Sequence, residues 1–499
     1  MFNTLLLKEI QESIHNYRFL IALLLCLLLI PLGTFVSVRD YEQRLANYNQ
    51  SRQLYLERSQ GNIRSGFSAK GFRPPAELSF LATGLEERLP SVVNTYNTGG
   101  YWYDYENEMT NPLALLFGKL DLLFIVSFVL SILALIFTFN SVSGEKERGT
   151  LRLQVSNSVS RVQVYTAKVA GNFLVFAVPF IIALMVSILI VNFSSSLNVF
   201  SAGIFPPFMV FVLLSLLFVL AMINLGMLIS SLTHNSMTSM VALLLVWIVL
   251  ALVVPKASPM LAQAIFPVRS AQVVDQEKQA VRSDMNKELD NQRAELLDKV
   301  AARYKMQNGD YLAAGDFLLR RNLQNLSEQV REQALDQYDN ESKILEDKYE
   351  GMINAALRKI DDAYEGKKQV QSQLGVYLSR ISPVSCFTYL ISELAGTSLL
   401  ELNNFQENAR RYQQYVKETI YDNYKYKRYV SKGGSIYSMA NLAEGFDQEK
   451  APVPQLTDYH RVTLAEVIGH QWLDLLLLAL YAITFFAAGF VAFNRYDVR

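Results

Sequence analysis

Between Val169 and Pro255 the chain has no Asp, Glu, Lys or Arg. A soluble domain needs solvated groups on its surface, so a charge-free stretch of that length excludes a fully soluble protein. Net charge is lacking too. The 46 basic residues balance 46 acidic ones, which removes the electrostatic footprint of nucleic-acid binding. That balance, with 51% hydrophobic residues, also excludes intrinsic disorder. Cys26 lies in an apolar run and Cys386 in a distant polar segment, so no intrachain disulfide is expected. Two cysteines and four scattered histidines meet no zinc spacing rule, and no bound metal is expected. The sequence has no G-x-x-x-x-G-K-[ST], hence no P-loop to cradle nucleotide phosphates. Gly144-Glu145-Lys146 is no substitute, because the glycine-rich turn before the lysine is missing. No nucleophile and base stand at catalytic spacing, so the chain is not expected to be an enzyme. The apolar runs hold almost no ionisable groups, His234 being the nearest exception. That disfavours an ion-driven carrier, which needs intramembrane carboxylates, and suits a bulky apolar or amphipathic cargo.

Apolar helix is abundant. A bilayer core of about 30 Å takes roughly 20 apolar residues to cross. Phe19 to Val38, between Arg18 and Arg39, predicts a first span with Pro31 as a kink. It is too long for a signal-peptide core. Leu122 to Val142 predicts a second span. Polar and turn-prone residues at Asn192–Pro207 and Ser230–Ser239 divide the charge-free stretch into spans near 169–191, 208–229 and 238–255. Leu475 to Phe493, between Asp474 and Arg495, predicts a sixth. Lys146, Arg148, Arg152, Arg161 and Lys168 crowd the loop after the second span, while the loop at 192–207 has no basic residue. The basic loop is therefore expected in the cytoplasm. Lys8, Arg18, Arg495 and Arg499 then place both termini there as well. The polar segments 39–118 and 256–470 follow an odd number of crossings and fall on the outer face.

The expected fold is an α-helical polytopic membrane protein with six transmembrane helices and two extracytoplasmic domains. Its parts are 1–18, an interfacial helix; 19–38, the first span; 39–118, a small α+β outer domain; 119–142, the second span; 143–168, a cytoplasmic loop; 169–255, three spans; 256–470, a mainly helical outer domain; and 471–499, the sixth span and a tail. In the first outer segment, Tyr101-Trp102-Tyr103-Asp104-Tyr105 alternates as a strand does. Its aromatics suit either a buried cap or a ligand-contacting surface. In the second, Val274, Val281, Met285, Leu289, Leu296 and Val300 recur at fours and sevens. Leu323, Leu326, Val330, Leu345, Tyr349, Ile353, Leu357, Ile360 and Tyr364 continue mostly at threes and fours after a break at Asn308-Gly309-Asp310. This is helical periodicity, with mixed charge on the polar face as in Glu295 four residues before Lys299. It predicts an antiparallel hairpin, or else a coiled-coil arm that grips a partner. A third helix is expected over Leu399–Tyr429, with Tyr412, Tyr415, Tyr421, Tyr424 and Tyr426 as packing anchors, closed by a loop at Ser431–Ser435.

The loop after the second span reads SVSGEKERGTLRLQVSNSVSR from Ser141 to Arg161. Gly144 is expected to release the membrane helix and Glu145–Arg148 to form a charged first turn. Gly149-Thr150 breaks and recaps it, and Leu151 and Leu153 supply an apolar edge. The pattern builds a short amphipathic helix at the membrane surface. Such a helix can seat in a groove on a soluble partner, or the loop can be an ordinary positive-inside turn.

EKERGTL followed by SNSVSR resembles the cytoplasmic loop of type-2 ABC exporter permeases, E-K-E-R-G-T-L then S-x-P-V-S-R, with Ser158 where many members carry proline. Glu77-Leu78-Ser79-Phe80, Gly84-Leu85-Glu86-Glu87-Arg88-Leu89, Asn111-Pro112-Leu113, Leu120–Val126, Ser382-Pro383-Val384-Ser385 and Leu394-Ala395-Gly396-Thr397 are similar to the branch of multi-copper-enzyme-maturation and gliding-type permeases. The resemblance implies the transmembrane half of an ABC exporter in a bacterial inner membrane. It implies a second permease subunit, either a copy or a paralogue, and a separate cytosolic ABC ATPase that holds ATP and Mg. The chain itself would bind no cofactor. Gly144, Glu145, Lys146, Glu147, Arg148, Gly149, Thr150 and Leu151 would form the coupling helix on that ATPase. Met1–Arg18, with Leu5, Leu6, Ile10 and Ile14 among Lys8, Glu9 and Glu12, is similar to the family's interfacial helix and also suits a plain membrane anchor. The outer domains suggest an extracytoplasmic partner. The contrasting class is a membrane-anchored scaffold or sensor that transports nothing, and a membrane-embedded enzyme has the least support.

Overall fold

The computed structural model describes residues 2–15, 17–59, 69–95, 101–104, 120–156, 160–304, 327–419, 424–430, 436–442, 455–456, 459 and 461–496. In chain order its helices are α1 (Phe2–Ile14), α2 (Tyr17–Ser59), α3 (122–138), α4 (Ser143–Arg148), α5 (Thr150–Ser156), α6 (Arg161–Phe193), α7 (Phe205–Leu232), α8 (236–265), α9 (Ala271–Arg303), α10 (Glu328–Ser379), α11 (Pro383–Leu394), α12 (Leu399–Thr419), α13 (Leu464–His470) and α14 (Trp472–Asn494). Six of these helical stretches are long and apolar enough to cross a membrane: α2, α3 continued through α4, α6, α7, α8 and α14. Inside a bilayer the backbone finds no water, so each apolar run must pair its own N–H and C=O groups as helix.

Three helix ends differ from the sequence expectation. α2 runs on past Val38 to Ser59 and continues through Pro31. Residues 34–59 contain no Gly or Pro. The Arg44–Asp40 pair, at 3.0 Å one turn apart, supports the polar extension. α6 begins at Arg161 rather than 169, because Ser160 caps it by accepting from Gln163 N at 3.3 Å. Gly144 does not release the membrane helix. It lies inside α4, and the chain departs from α3 in the turn at 139–142.

Two π turns interrupt the spans, Ile125–Leu130 in α3 and Val249–Val253 in α8. A π turn widens the hydrogen-bond ladder and leaves carbonyls for other donors. Leu250 O in the second accepts Ser382 Oγ at 2.5 Å, and just before it Trp247 Nε1 donates to Ser131 Oγ at 2.9 Å. Small residues let the helices approach elsewhere. A Cβ on Gly226 would stand 1.8 Å from Thr138 Oγ1, and one on Gly489 would stand 2.1 Å from the Tyr165 hydroxyl. Buried Asn224 donates to Ala482 O at 2.9 Å and ties α7 to α14.

At the end of the spans away from the termini, the residues of 69–95, 120–126, 380–401, 455–456, 459 and 461–474 form one packed node. β1 (Ala69–Phe72), β2 (Val92–Thr95) and β3 (Tyr101–Asp104) make an antiparallel sheet, with Ala69 opposite Thr95 and Val92 opposite Asp104. The strand expected at Tyr101–Tyr105 is present through Asp104, while Tyr105 lies outside the described residues. Buried Glu86 takes Arg73 at 3.1 Å and the Ala76 N–H at 3.1 Å. Asp121 caps α3 through Phe124 N at 2.8 Å and accepts Thr83 N at 2.8 Å. Gly84 has φ +47° where Leu85 N donates to Thr397 O at 2.8 Å, and Thr397 Oγ1 donates to Ala82 O at 3.0 Å. Arg380 forms a two-pronged pair with fully buried Asp474, at 2.8 and 2.7 Å. Asn111-Pro112-Leu113 lies outside the described residues.

The segment 256–470 is not one body. Residues 377–422 and 447–499 belong with the spans, while 259–376 and 423–446 form a second compact unit. In that unit α9 and α10 run antiparallel. Lys278 pairs with Asp361 and Arg293 with Glu346, and Leu296, Leu297 and Val300 pack on Ala334 and Tyr338. Val274, Tyr349 and Leu357 are buried as their spacing predicts. Leu323, Leu326 and Asn308–Asp310 lie outside the described residues. The third helix stops at Thr419 rather than Tyr429. Tyr424–Val430 is instead strand β4, paired antiparallel with β5 (Ile436–Leu442), so Tyr424 faces Leu442 and Tyr426 faces Ala440. Tyr424-Lys425-Tyr426-Lys427 alternates with period two, which a partner strand can use and a helix cannot.

Candidate functional site

The basic loop is two short helices rather than one. α4 ends at Gly149, whose φ of +75° forms the left-handed cap that favours glycine, and α5 starts at once. This bend divides the eight candidate residues into two sets. Gly144, Glu145 and Leu151 are buried, and Lys146 is half-buried. Glu147, Arg148, Gly149 and Thr150 are exposed, as is Arg152 beyond them.

The inward set is fastened to several other elements. Glu145 Oε1 accepts Lys168 Nζ at 2.7 Å, and the same ammonium reaches Glu9 Oε1 at 2.9 Å. Lys168 is 1% exposed, so its charge is held wholly by those two carboxylates, and Gln154 adds a 3.2 Å hydrogen bond to Glu145. Three elements meet there: α1, α4 and the first turns of α6. Lys146 Nζ donates to Ser231 O and to Thr233 O at 3.1 Å, at the end of α7, and stands 5.0 Å over the Tyr496 ring. Tyr496 in turn lies beside His234. Arg161 donates to Asn494 O and Tyr496 O, the latter at 3.2 Å, so the residues after α14 join the same cluster.

The exposed set is partly preorganised. Glu147 Oε2 accepts Ser236 N at 3.1 Å and Ser236 Oγ at 2.7 Å, which places a carboxylate on the N-terminus of α8. Arg148 Nε donates to Gly144 O at 3.1 Å, and Thr150 Oγ1 donates to Glu145 O at 3.4 Å. The outer edge of Glu147–Thr150 thus stands free for contact, on a base joined to α1, α6, α7, α8 and the chain end after α14.

Lys168 and Glu9 are the members that spacing alone did not single out. Lys168 is the last charge before the uncharged stretch, and a charge there needs a partner, but the partner sits 159 residues away. Leu153 and Ser158 have no described side chain.

A comparison with curated proteins found no match. One protein-family model, described as ABC-2 family transporter protein, matches residues 3–498.

Proposed function

The chain belongs to the ABC-2 family transporter proteins, and on that premise we propose that it is the permease subunit of an ATP-driven exporter in a bacterial inner membrane. It has the six apolar helices of a multi-pass membrane protein. ATP and Mg are held by a separate cytosolic ATPase subunit, which seats on the exposed edge Glu147–Thr150. A second permease subunit, a copy or a paralogue, completes the transporter. Both termini are cytoplasmic, and the segments around β1–β3 and α9–α10 stand outside, where an external partner can meet them.

The observation that carries this reading is the two-sided build of the loop. Its outer edge is exposed, while its inner side is bound to α1 and α6 through Lys168 and to α7 through Lys146, and Glu147 on the edge itself holds the start of α8. A push on the edge cannot move one span alone, because each attachment is buried or charge-assisted. Motion of an ATPase would therefore reach several spans as one displacement. The spans leave large apolar side chains bare, among them Leu24, Leu28, Met185, Leu189, Leu245 and Ile483, which suit lipid, the second subunit and an amphipathic cargo.

The test is co-purification of the full-length chain from its own membranes. An ATPase should come down with it, and Arg148→Glu should reduce that recovery while leaving membrane insertion intact. Recovery of an external protein alone, with no ATPase, would favour the scaffold class instead.

A further inference from the structure

The last span, α14, is held by charged side chains at both ends. At the end near the basic loop, Arg161 donates to Asn494 O and to Tyr496 O, the latter at 3.2 Å. The Lys146 ammonium stands 5.0 Å over the Tyr496 ring, a cation–π contact, and the His234 ring lies 6.5 Å from the same ring. The residues just past α14 are thus gripped by the start of α6, by the loop and by the turn before α8. At the far end Arg380 takes buried Asp474, in the first turn of α14, with both prongs at 2.8 and 2.7 Å. The Tyr481 hydroxyl, two turns further along, donates toward Arg380 O and Ile381 O at 2.8 Å each. Those two residues lead into α11.

Between its clamped ends α14 is stiff. α2 and α6 carry an internal proline, and α3 and α8 a π turn, each a place where a helix bends. α7 has proline only in its first turn, and α14 has neither feature. The 23 residues of α14 reach about 35 Å. The two regular helices also lie close together. Asn224 of α7 donates to Ala482 O at 2.9 Å, and a Cβ on Gly489 would stand 3.1 Å from Leu228 Cα. α7 in turn meets α11, where the Phe218 and Phe387 rings stack at 4.5 Å. A kinked helix absorbs part of a push by bending. A straight helix clamped at both ends passes the push on, because packed side chains shift between discrete arrangements rather than deform continuously.

We infer that α14, paired with α7, carries displacement of the basic loop to Arg380 and the start of α11, with Tyr496 and Arg161 as the positioning residues at the loop end. The inference rests on the reading of the loop as an ATPase seat, and adds the route by which motion leaves that seat. Lys146 serves both members of the pair, since it also donates to Thr233 O at the end of α7. The Arg380–Asp474 pair is the outlet.

The experiment uses the full-length chain in nanodiscs with the ATPase that co-purifies from its own membranes. Gly469→Cys carries a trifluoromethyl thiol label just before α14, at an exposed position where a Cβ meets no atom within 4 Å. Cys26 and Cys386 are buried and do not compete for the label. Fluorine NMR should show a second line on addition of ATP and Mg, as the far end of α14 moves. Tyr496→Ala combined with Arg161→Gln should remove that line from complexes that still hold the ATPase. Tyr496→Phe keeps a ring beneath Lys146 and should retain the line, a rescue that a general loss of stability does not produce. Tyr496→Ala alone leaves the backbone carbonyls to Arg161. It should weaken the line, and gives a second reading where the double variant recovers less ATPase. A line that persists at full intensity in both variants would overturn the route and leave the ATPase seat standing. So would an ATP-independent spectrum of the native complex, or loss of the line in Tyr496→Phe as well. Recovery of no ATPase from native membranes would instead refute the underlying reading, and the route with it.

Discussion

Lys168→Met tests the central attachment of the basic loop. In the native chain one ammonium lies between Glu145 at 2.7 Å and Glu9 at 2.9 Å. Its removal leaves two carboxylates with oxygens within 4.8 Å of one another and little water nearby. At an effective dielectric constant of about 20, two like charges at that separation repel by about 3 kcal/mol. Breaking one side of a buried ion pair costs a similar ~3–5 kcal/mol. Lys168→Met should therefore destabilise the helical bundle by about 3 kcal/mol. Glu9→Gln alone should cost less, because Lys168 keeps Glu145. The triple variant Glu9→Gln, Glu145→Gln, Lys168→Met removes all three charges and should return to within about 1 kcal/mol of the native protein. Reversible unfolding in mixed micelles, followed by tryptophan fluorescence, reads the difference, and protease release of α1 reports the local effect. The reasoning is refuted if Lys168→Met costs under about 1 kcal/mol, or if the triple variant is as unstable as the single one.

Glu147→Arg should weaken ATPase association through two routes, lost cap on α8 and reversed charge on the exposed edge, and pull-down of the ATPase measures it. Asp474→Leu should destabilise by about 3 kcal/mol, since it strands Arg380 where both prongs were satisfied; the same micelle unfolding would expose a neutral outcome. Deleting 271–366 and joining the ends with a short linker should keep the six spans and the ATPase. The ends already meet there, Gln371 donating to Phe266 O at 2.7 Å, and loss of membrane insertion would count against two separate units. Burial holds the Glu401 carboxyl above its ordinary 4.5, against the lowering effect of its hydrogen bonds and of Arg73. The folded state then binds that proton more tightly than the unfolded chain, so stability is full in acid and falls as pH rises from about 4.5 through the raised value. Glu401→Gln should flatten that slope in a pH series of melting curves.

Where the chain crosses an apolar phase was legible in the residues themselves. Bilayer hydrocarbon admits only continuous, self-paired helix, and charge-free runs of sufficient length announce it. The same holds for α9 and α10, whose apolar spacing puts Val274, Leu296, Val300, Tyr349 and Leu357 on inward faces. The left-handed stop at Gly149 could be read from its dipeptide with Thr150. Side-chain partners could not. Nothing local to Lys168 points to Glu9, and nothing near Gly84 announces Thr397, which meets it across the node. The extended ends of α2 and α6, and the strand at Tyr424–Val430, likewise depend on what packs or pairs beside them. Spans follow from a one-dimensional property, the free energy of moving each residue from water to hydrocarbon. The loop's attachments and the buried Arg380–Asp474 pair depend on which distant groups share a desolvated volume, and only the folded chain brings those groups together.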